Sequence, residues 1–599
     1  MRIICLDKNR YGDIDFNNEY FIGAWCYPLS SLMDKEISIP ILPYLFDDRI
    51  RLQEAYTYTL TVYENVIEIL SESLNKLHNR DYSTRYYEML LGAWALKYIQ
   101  FVHERYSNII HSIKLHPESE YIVSIEDSKI TSYSDFLDKC FDNDYNASVY
   151  GRIVRLLGLN YSEWNESDIS SKDINKILIR PQLKNSFSKK LAGFLTRAYW
   201  RINPRIRSIG LQSYIGLTDQ TKLLWMSRGH YTPFFSETNE STVDGICNGV
   251  HFSAEVRDCF AELIESNTRV DDAYTKILLK MISKDIPKSY LECHANIENY
   301  LVRNFTGLLK HKKIKKIVTA IGTRASIFSP QFIAWSCELY STKLYLYQHG
   351  GSYGTTVMSP MEYLDLRVAD KYISWGWSIL NKNNIIPACK QVGFEKIHSK
   401  KTDLNQQDII KVVYCMNETW LHHVMYWANP IARQYIDYLK DAESLVNGLS
   451  DEPIALSLRL DPGGRYSKVV KKYLAELHGW LQFDNGSNSL ERAFCDSDII
   501  IVDSNHTVML EALRSGKVVL LYWNPYYNEL NRLAFEHFSK LELVGVWHTT
   551  VYTVTEQLKE ISRDPFAWWN EPIRKKAIED FLLTFAKEKD LTKIAEIVS

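Results

Sequence analysis

The stretch that decides the fold is residues 498–525, which read DIIIVDSNHTVMLEALRSGKVVLLYWNP. It opens with an apolar run of the kind found in strands that are buried on both faces, and residues 503–506 follow as a polar turn. A helix is predicted to start near Thr507 and to stop at Gly516, after which a second apolar run begins. Strand, helix and strand in this order make a βαβ unit, whose two strands lie parallel in one sheet.

The same alternation fills the chain from Lys315 onward. Short apolar runs are separated by helical patterns, which is typical of a parallel sheet covered by helices on both faces. The runs are KKIVTAIG, KLYLYQHG, KYISWG, KVVYCMN, IALSLRL, DIIIVD and KVVLLYW. We therefore predict an α/β protein with two Rossmann-like domains that face a cleft. The C-terminal domain is predicted to cover residues 371–550, and helices are predicted for residues 551–599.

The N-terminal half begins with two strand-like runs, RIICLD and EYFIGAWC. Apolar residues then recur at helical spacing from Asp48 to about His111, which predicts two long amphipathic helices. Residues 120–310 show no clean alternation of strand and helix. We predict that residues 1–370 form the first Rossmann-like domain, interrupted by a large and mainly helical insertion over about residues 48–310.

Composition excludes several classes of function. The chain has 599 residues, 46% of them hydrophobic, and a formal net charge of -3, so it has no positive field to hold nucleic acid. No basic leader with an apolar core and no window of about 18 unbroken apolar residues is found. We expect a cytoplasmic protein, with at most peripheral contact at the inner face of the membrane. The ten cysteines are scattered without a CxxC pair, so neither structural zinc nor a disulfide framework is expected.

The polar turn before the predicted helix at Thr507 is the sharpest candidate site. Free N–H groups at a helix N-terminus bind phosphate, and hydroxyls at Ser504 and Thr507 can add hydrogen bonds. Glu511 lies one turn further along, about 6 Å away, which suits a carboxylate that accepts from ribose hydroxyls. With Asp503, these residues predict a nucleotide site. The alternative is that the turn only caps the helix and that Glu511 is solvated.

A second candidate is the segment KLYLYQHGGSYGT. His349 stands between a predicted strand and the pair Gly350 and Gly351, where the backbone can approach a ligand. A histidine at this position can bind phosphate or transfer a proton. The plain alternative is a histidine that is satisfied within the core.

Other strands also end in polar groups. Asn417 is the last residue of KVVYCMN, and Arg459 lies inside an apolar strand, where it needs either a ligand anion or a fixed acid such as Asp461. Asp47 and Asp48 precede the first long helix and are candidates for a catalytic base or nucleophile. Capping of that helix is the alternative. Asp142 and Asp144 have the spacing of a metal-binding DxD pair, yet they lie in the segment without clear organisation, so a metal-independent reaction is favoured.

The segments FIGAWC, FDDR, LNKLH, STRYYEMLLGAW, QHGGSYG, ISWGW and VDSNHTVMLEALRSGKVVLLYWNP together resemble a family of transferases associated with bacterial O-antigen and other surface-polysaccharide gene clusters. The QHG and DS…T…LEAL…GK segments are also similar to those of glycosyltransferases with the two-Rossmann GT-B architecture, including Kdo transferases that use CMP-activated sugars. The resemblance implies that the nucleotide lies in the C-terminal domain. It places Ser504 and Thr507 at the phosphate, Glu511 at the ribose, and His349 with Gly350 at the sugar–phosphate bond.

One segment departs from this pattern. Kdo and sialic acid transferases commonly carry a Lys/His-Pro signature at a C-terminal strand end, whereas this chain has LSLRLDPGG. The expected function is a metal-independent glycosyltransferase without a cofactor. It is expected to move a sugar from a nucleotide-activated donor to a glycan or lipid-linked glycan acceptor held on the N-terminal side. The alternatives are a CDP-polyol phosphotransferase and a non-catalytic scaffold that binds nucleotide or glycan.

Overall fold

The computed structural model describes residues 1–599 except 13, 14, 16, 35–38, 128, 165–202, 313, 380, 381, 391–408, 485 and 487. Residues 165–202 of the predicted insertion thus lie outside the described residues. Within the described ranges the strands form three separate parallel sheets, each part of its own Rossmann-like unit.

The first unit is built on a four-stranded sheet in the order β2-β1-β3-β4. Its strands are β1 Arg2–Ile4, β2 Glu19–Phe21, β3 Glu120–Val123 and β4 Tyr161–Glu163. Its helices are α1 Lys8–Tyr11, α2 Leu29–Met33, α3 Arg49–His78, α4 Thr84–Leu115, α5 Tyr133–Lys139 and α6 Asn143–Leu156, with 3-10 turns at Ala24–Cys26 and Leu45–Asp47.

The two long helices, α3 and α4, have clear start and stop signals. The Asp48 carboxylate accepts hydrogen bonds from the first free N–H groups of α3, and Asn79, in the left-handed region at φ 51°, ends it. The Ser83 hydroxyl caps α4 in the same way. Helix α4 is buried on nearly every side because it packs against α3 and also against helices of the second unit.

The second unit is built on a six-stranded sheet in the order β10-β9-β8-β7-β5-β6. Its strands are β5 Ser208–Leu211, β6 Tyr231–Phe234, β7 Lys316–Thr319, β8 Lys343–Tyr347, β9 Lys371–Ser374 and β10 Ile385–Pro387. Its helices are α7 Leu217–Met226, α8 Glu237–Asn248, α9 Ala254–Asn267, α10 Ala273–Asp285, α11 His294–Lys312, α12 Phe328–Tyr340 and α13 Pro360–Val368.

These two sheets differ from the prediction of one N-terminal domain with a helical insertion over about residues 48–310. Strands β3 to β6 all fall inside that range, and they belong to two different sheets. Each has only three or four residues, and Gly210 and Pro233 interrupt two of them, so the long helices around them dominate the pattern. Strands β9 and β10, which follow the predicted boundary between residues 370 and 371, pair within the second sheet.

The third unit is built on a six-stranded sheet in the order β13-β12-β11-β14-β15-β16, which in chain order is the 3-2-1-4-5-6 arrangement of dinucleotide-binding Rossmann folds. Its strands are β11 Ile410–Cys415, β12 Ile454–Arg459, β13 Gln482–Asp484, β14 Ile499–Val502, β15 Val518–Tyr522 and β16 Trp547–His548. Its helices are α14 Gln434–Gly448, α15 Ser467–Leu477, α16 Leu490–Cys495, α17 Thr507–Arg514 and α18 Arg532–Leu543. The strand order reverses between β11 and β14, where such sheets bind ligands.

Four helices complete the chain: α19 Val551–Ile561, α20 Pro565–Trp569, α21 Pro572–Phe585 and α22 Leu591–Val598. The first three pack on the third unit. Helix α22 returns to the second unit, where it covers one face of that sheet and the Val598 carbonyl accepts a hydrogen bond from the Ser208 hydroxyl.

The carboxyl ends of the second and third sheets face each other. The Gly351 N–H, in the loop after β8, donates to the Thr507 hydroxyl at 3.1 Å, and Thr356 forms an antiparallel bridge with Leu530. A small apolar cluster joins all three units through Phe46, Met358 and Tyr426. The predicted α/β class, with Rossmann-like sheets facing across a junction, is confirmed.

Candidate functional site

The turn after β8 is held in place by Gln348, which is fully buried. The Gln348 amide donates to the Gly350 carbonyl at 2.8 Å, and its Oε1 accepts from the Trp375 N–H and the Trp377 indole at 2.9 and 2.7 Å. These contacts tie the turn to the end of strand β9. His349 is therefore presented by a fixed backbone rather than by a free loop.

His349 is the end of a chain of charged and polar groups. The Asp365 carboxylate, which is fully buried, accepts two hydrogen bonds from Arg324 at 2.6 and 3.0 Å. Arg324 Nη2 also donates to His349 Nδ1 at 3.0 Å. Because Nδ1 accepts, the neutral ring carries its proton on Nε2. Burial, with the charges of Arg324 and Lys97, holds the pKa of His349 well below its usual value.

Lys97, near the middle of helix α4, is half-buried, and its positive charge acts on His349. Asp365 already compensates the charge of Arg324. Among the described residues Lys97 has no acidic partner, and its Nζ lies 5.5 Å from the centroid of the Tyr133 ring. The positive charges of Arg324 and Lys97 act on a histidine that donates from Nε2, and this arrangement suits an anionic ligand.

The Gly351 backbone lies directly on the first residues of helix α17. A Cβ at Gly351 would come within 2.5 Å of the His506 carbonyl carbon and 2.6 Å of the Thr507 nitrogen. Only glycine permits this approach, since the atoms that would be struck are backbone. The structure therefore brings together His349, Gly350, Gly351 and Thr507, which come from two different sheets.

Asp503 and Asn417 lie behind that junction in a buried network. The Asp503 carboxylate accepts from the Tyr414 and Tyr438 hydroxyls at 2.7 and 2.5 Å and from the Asn417 N–H at 2.8 Å. Burial raises the pKa of Asp503 to about 6, against these hydrogen bonds. Ser504 is buried beside it. The carboxylate thus fixes the two loops at the point where the strand order reverses.

Glu511 and Arg459 both have acid–base partners within the protein. The Glu511 carboxylate accepts from Lys390 Nζ at 3.2 Å, and Lys390 is buried against the Trp375 ring. Arg459 pairs with Asp484 on the neighbouring strand β13 and not with Asp461. Of the two alternatives for Arg459, a ligand anion or an acid of the protein, the structure therefore has the ion pair with an acid of the protein.

The polar contacts of Asp47 and Asp48 are with residues outside the His349 cluster. Asp48 caps α3 and pairs with Arg51 at 3.2 Å. The Asp47 carboxylate pairs with Arg433 at 2.9 Å, and burial raises its pKa. No hydrogen bond or ion pair joins either carboxylate to His349 or Arg324 in the part of the chain that the structure describes.

The sequence missed three residues of this region: Lys97, Asp365 and Lys390. Lys97 sits in an ordinary helical pattern, so only the packing of α4 against the second unit reveals it. No group of His, Cys, Asp or Glu residues that could hold a metal is found among the described residues. None of the described helices is both long and apolar enough to cross a membrane.

Rossmann-like sheets that face each other, here with a His-Gly-Gly turn at their junction, are typical of α/β proteins that bind ligands beyond the carboxyl ends of their strands. The family model described as LIC12162 family transferase matches residues 3–595, and the chain belongs to that family. It is therefore a transferase. A search of curated proteins returned no match.

Three solved structures show a distant similarity. A mutant of S. aureus TarM, in complex with Fondaparinux, alpha-GlcNAc-glycerol and UDP, has a TM-score of 0.30 and 11% identity, covering 47% of this chain and 53% of its own. The chain thus spans about half the length of that TarM chain. Acinetobacter baumannii MurG has a TM-score of 0.32 and 10% identity over 66% of this chain and 98% of its own. The spinosyn rhamnosyltransferase SpnG, complexed with spinosyn aglycone, has a TM-score of 0.30 and 9% identity over 66% and 97%.

Proposed function

We propose that this transferase is a metal-independent glycosyltransferase, which moves a sugar from a nucleotide-activated donor onto a bacterial surface glycan. The observation that carries the proposal is the contact between the His349–Gly351 turn and the start of helix α17. Ligands of open α/β sheets bind beyond the carboxyl ends of the strands, and two such ends meet here. The N–H groups at the start of α17 add the positive end of a helix dipole.

The charges of the cluster suit departure of a phosphate. Lys97 and Arg324 would stabilise negative charge as it develops on the leaving group. His349 would donate from Nε2–H to a phosphate or sugar oxygen, because Nδ1 is already bonded to Arg324. The proposed role of His349 is therefore that of a hydrogen-bond donor. Asp47, with its raised pKa, remains the candidate for the base that activates the acceptor hydroxyl.

For the donor we propose a CMP-activated sugar acid of the Kdo or nonulosonate type, and for the acceptor an O-antigen or capsule glycan reached from the cytoplasm. The sugar carboxylate of such a donor would need a cation, and Lys97 has no acidic partner among the described residues. The ribose is proposed to bind Glu511, whose carboxylate would then be shared between the ribose hydroxyls and Lys390.

The test is calorimetric titration of the full chain with CMP, CDP, UDP, GDP and dTDP, repeated on Glu511→Ala. We expect CMP to bind and the substitution to weaken binding by about tenfold, since a charge-assisted hydrogen bond is lost. Tightest binding of CDP, with phosphorus found in the product, would favour polyol-phosphate transfer. Absence of binding to all five nucleotides would overturn the nucleotide site.

Catalysis is tested separately with His349→Ala and the control His251→Ala, which removes an exposed histidine. We expect transfer to fall by about a hundredfold in His349→Ala, in line with the loss of one donor to the transition state, while nucleotide affinity changes little. Equal transfer by the two variants would reject a role for His349. Nucleotide binding without any transfer of a CMP-activated sugar would favour a non-catalytic scaffold.

A further inference from the structure

Two cysteines of the second unit lie against each other. Cys247 is in the last turn of helix α8, and Cys293 directly precedes helix α11. They are 46 residues apart in the chain, and they meet because α8 packs against α11. Since the cysteines are scattered in the sequence without a CxxC pair, this contact is a product of the tertiary fold.

The two thiols are in direct contact. The Cys293 S–H donates to the Cys247 carbonyl at 3.9 Å, and the Cys247 and Cys293 thiols are hydrogen-bonded to each other. Both are free thiols in this structure. Cysteines whose thiols touch need only a small movement of their side chains to reach the geometry of a disulfide.

Lys288 fixes the segments that carry both cysteines. Its carbonyl accepts from the Cys293 N–H at 3.0 Å, and its Nζ donates to the Val250 carbonyl at 2.9 Å. The Val250 N–H in turn donates to the Cys247 carbonyl at 3.2 Å. Since Lys288 is itself 6% exposed, one buried lysine holds the two cysteines side by side.

The surroundings favour a thiolate at Cys293. Hydrogen bonding by Cys247, with the charge of Lys288, lowers the pKa of the Cys293 thiol against the effect of burial. The same hydrogen bond, together with burial, raises the pKa of Cys247. Because the thiolate is the nucleophile in thiol oxidation, Cys293 is the sulfur that reacts first and Cys247 the one that completes the bond.

Cys5 and Cys26 show what burial alone does to a neighbouring pair of cysteines. Both are fully buried, and the charge of Cys5 acts on Cys26. Burial raises the pKa of both thiols, and among the described residues neither a lysine nor a hydrogen bond between the two thiols opposes it. The pair at Cys247 and Cys293 is therefore distinguished by its contacts and not only by proximity.

The pair lies just beneath the surface. Cys247 and Cys293 are 4% and 0% exposed, whereas Asn248 and Gly249, which follow Cys247, are both exposed. An oxidant that reaches the thiols in the folded chain must therefore be about the size of a water molecule. Hydrogen peroxide meets this requirement.

We propose that Cys247 and Cys293 are a site of reversible oxidation, at which a peroxide converts the two thiols to a disulfide. The Cys293 sulfur attacks one peroxide oxygen, the O–O bond breaks, and the other oxygen leaves as hydroxide and becomes water with the thiol proton. The Cys247 sulfur then attacks the sulfur of the resulting sulfenic acid. The S–O bond breaks, and its hydroxide leaves with the Cys247 proton as a second water. Two thiols are oxidised and one peroxide is reduced, and a dithiol restores both thiols by exchange.

The disulfide joins the end of α8 to the start of α11. Helix α8 follows strand β6 and helix α11 leads into strand β7, so the bond ties together two connections of the second sheet. Its formation does not depend on the proposed sugar transfer, because neither thiol belongs to the His349 cluster.

The experiment treats the folded full chain with hydrogen peroxide, blocks the remaining thiols by alkylation, and maps tryptic peptides by mass spectrometry without reduction. Trypsin places Cys247 in peptide 229–257 and Cys293 in peptide 289–303. We expect these two peptides to be linked and to separate after treatment with dithiothreitol. Cys247→Ser should abolish the link and leave a sulfenic acid at Cys293 that dimedone traps. Cys140→Ser, at another fully buried cysteine, is the matched control and should keep the link.

Two results would overturn the assignment. One is full alkylation of Cys247 and Cys293 under conditions that oxidise the exposed Cys259 and Cys495. The other is a link that forms only in urea above the first unfolding transition, because it would then come from pairing in the unfolded chain. Thermal unfolding of each variant verifies that it is folded, and the map of the unmodified sequence needs no variant at all.

Discussion

Replacement of Arg49 tests one of the contacts between the first and third units. Its side chain is 3% exposed and forms two hydrogen bonds with the Glu529 carboxylate at 2.7 and 2.8 Å. It also donates to Gln434 Oε1 at 2.9 Å and to three backbone carbonyls of the third unit at 3.1–3.3 Å. Arg49→Met keeps an unbranched side chain at this position and removes all of these hydrogen bonds.

The expected loss is about 3–5 kcal/mol of unfolding free energy, because one member of a buried ion pair is removed and the other is left uncompensated. Arg51→Met is the matched control, two residues further along the same helix. Arg51 is 56% exposed, and among the described residues its one ion pair is with the capping Asp48, so its removal should cost about 0–1 kcal/mol.

The unfolding free energy is measured by urea denaturation, from the first unfolding transition of each protein. The variants compared are Arg49→Met, Arg51→Met, Glu529→Gln and the double variant Arg49→Met/Glu529→Gln. Each single variant leaves one charge of the pair without its partner, whereas the double variant leaves none, so the double variant should lose less than the sum of the two single losses. A loss in Arg49→Met that is equal to the loss in Arg51→Met would refute the reasoning.

Three further outcomes are expected. Gly351→Ala should lower the unfolding free energy by about 1–3 kcal/mol, because its Cβ would clash with the start of α17. The control Gly350→Ala should not lower it, because that Cβ would lie 3.5 Å from the nearest atom. Equal urea midpoints for the two variants would contradict this prediction. Ala432→Gly should stabilise the chain by about 1–2 kcal/mol, because φ 48° strains alanine, while Ala428→Gly should destabilise it. The rings of His78 and His294 stack at 4.5 Å, and burial lowers both pKa values, that of His78 to about 4. The unfolded histidine takes up a proton below about pH 6.5 and the folded one does not, so stability should fall by about 1.4 kcal/mol per pH unit for His78 as pH drops from 6.5 toward 4. His78→Gln should flatten that slope in urea midpoints measured at pH 7, 6 and 5, and an unchanged slope would contradict the assignment.

Local signals explain what the sequence predicted well. In residues 498–525 the apolar runs became strands β14 and β15, and the helix begins at Thr507 as predicted, because each element is set by its own residues. The structure also has Asp48 as the cap of α3, which was the alternative interpretation of that residue. A cap, a buried strand and a helix stop depend on neighbours within a few positions.

Distant packing explains the rest. The charge of Lys97 acts on His349 because α4 packs against helices of the second unit, and nothing within the sequence of α4 marks this lysine. The partner of Arg459 is Asp484 because β12 pairs with β13, which follows from the topology of the sheet. His422 Nδ1 and both ring nitrogens of His423 are buried without partners in the described structure, and no pattern in the sequence marks these two histidines.

The chain crosses between the second and third units twice, and the two crossings touch. The Lys390 N–H donates to the Lys587 carbonyl at 3.0 Å, and the Lys587 N–H donates to the Trp375 carbonyl at 2.8 Å. These two hydrogen bonds join the segment after β10 and the segment before α22 to the end of β9, so the helices that pack on the third unit are anchored to the second unit at this point.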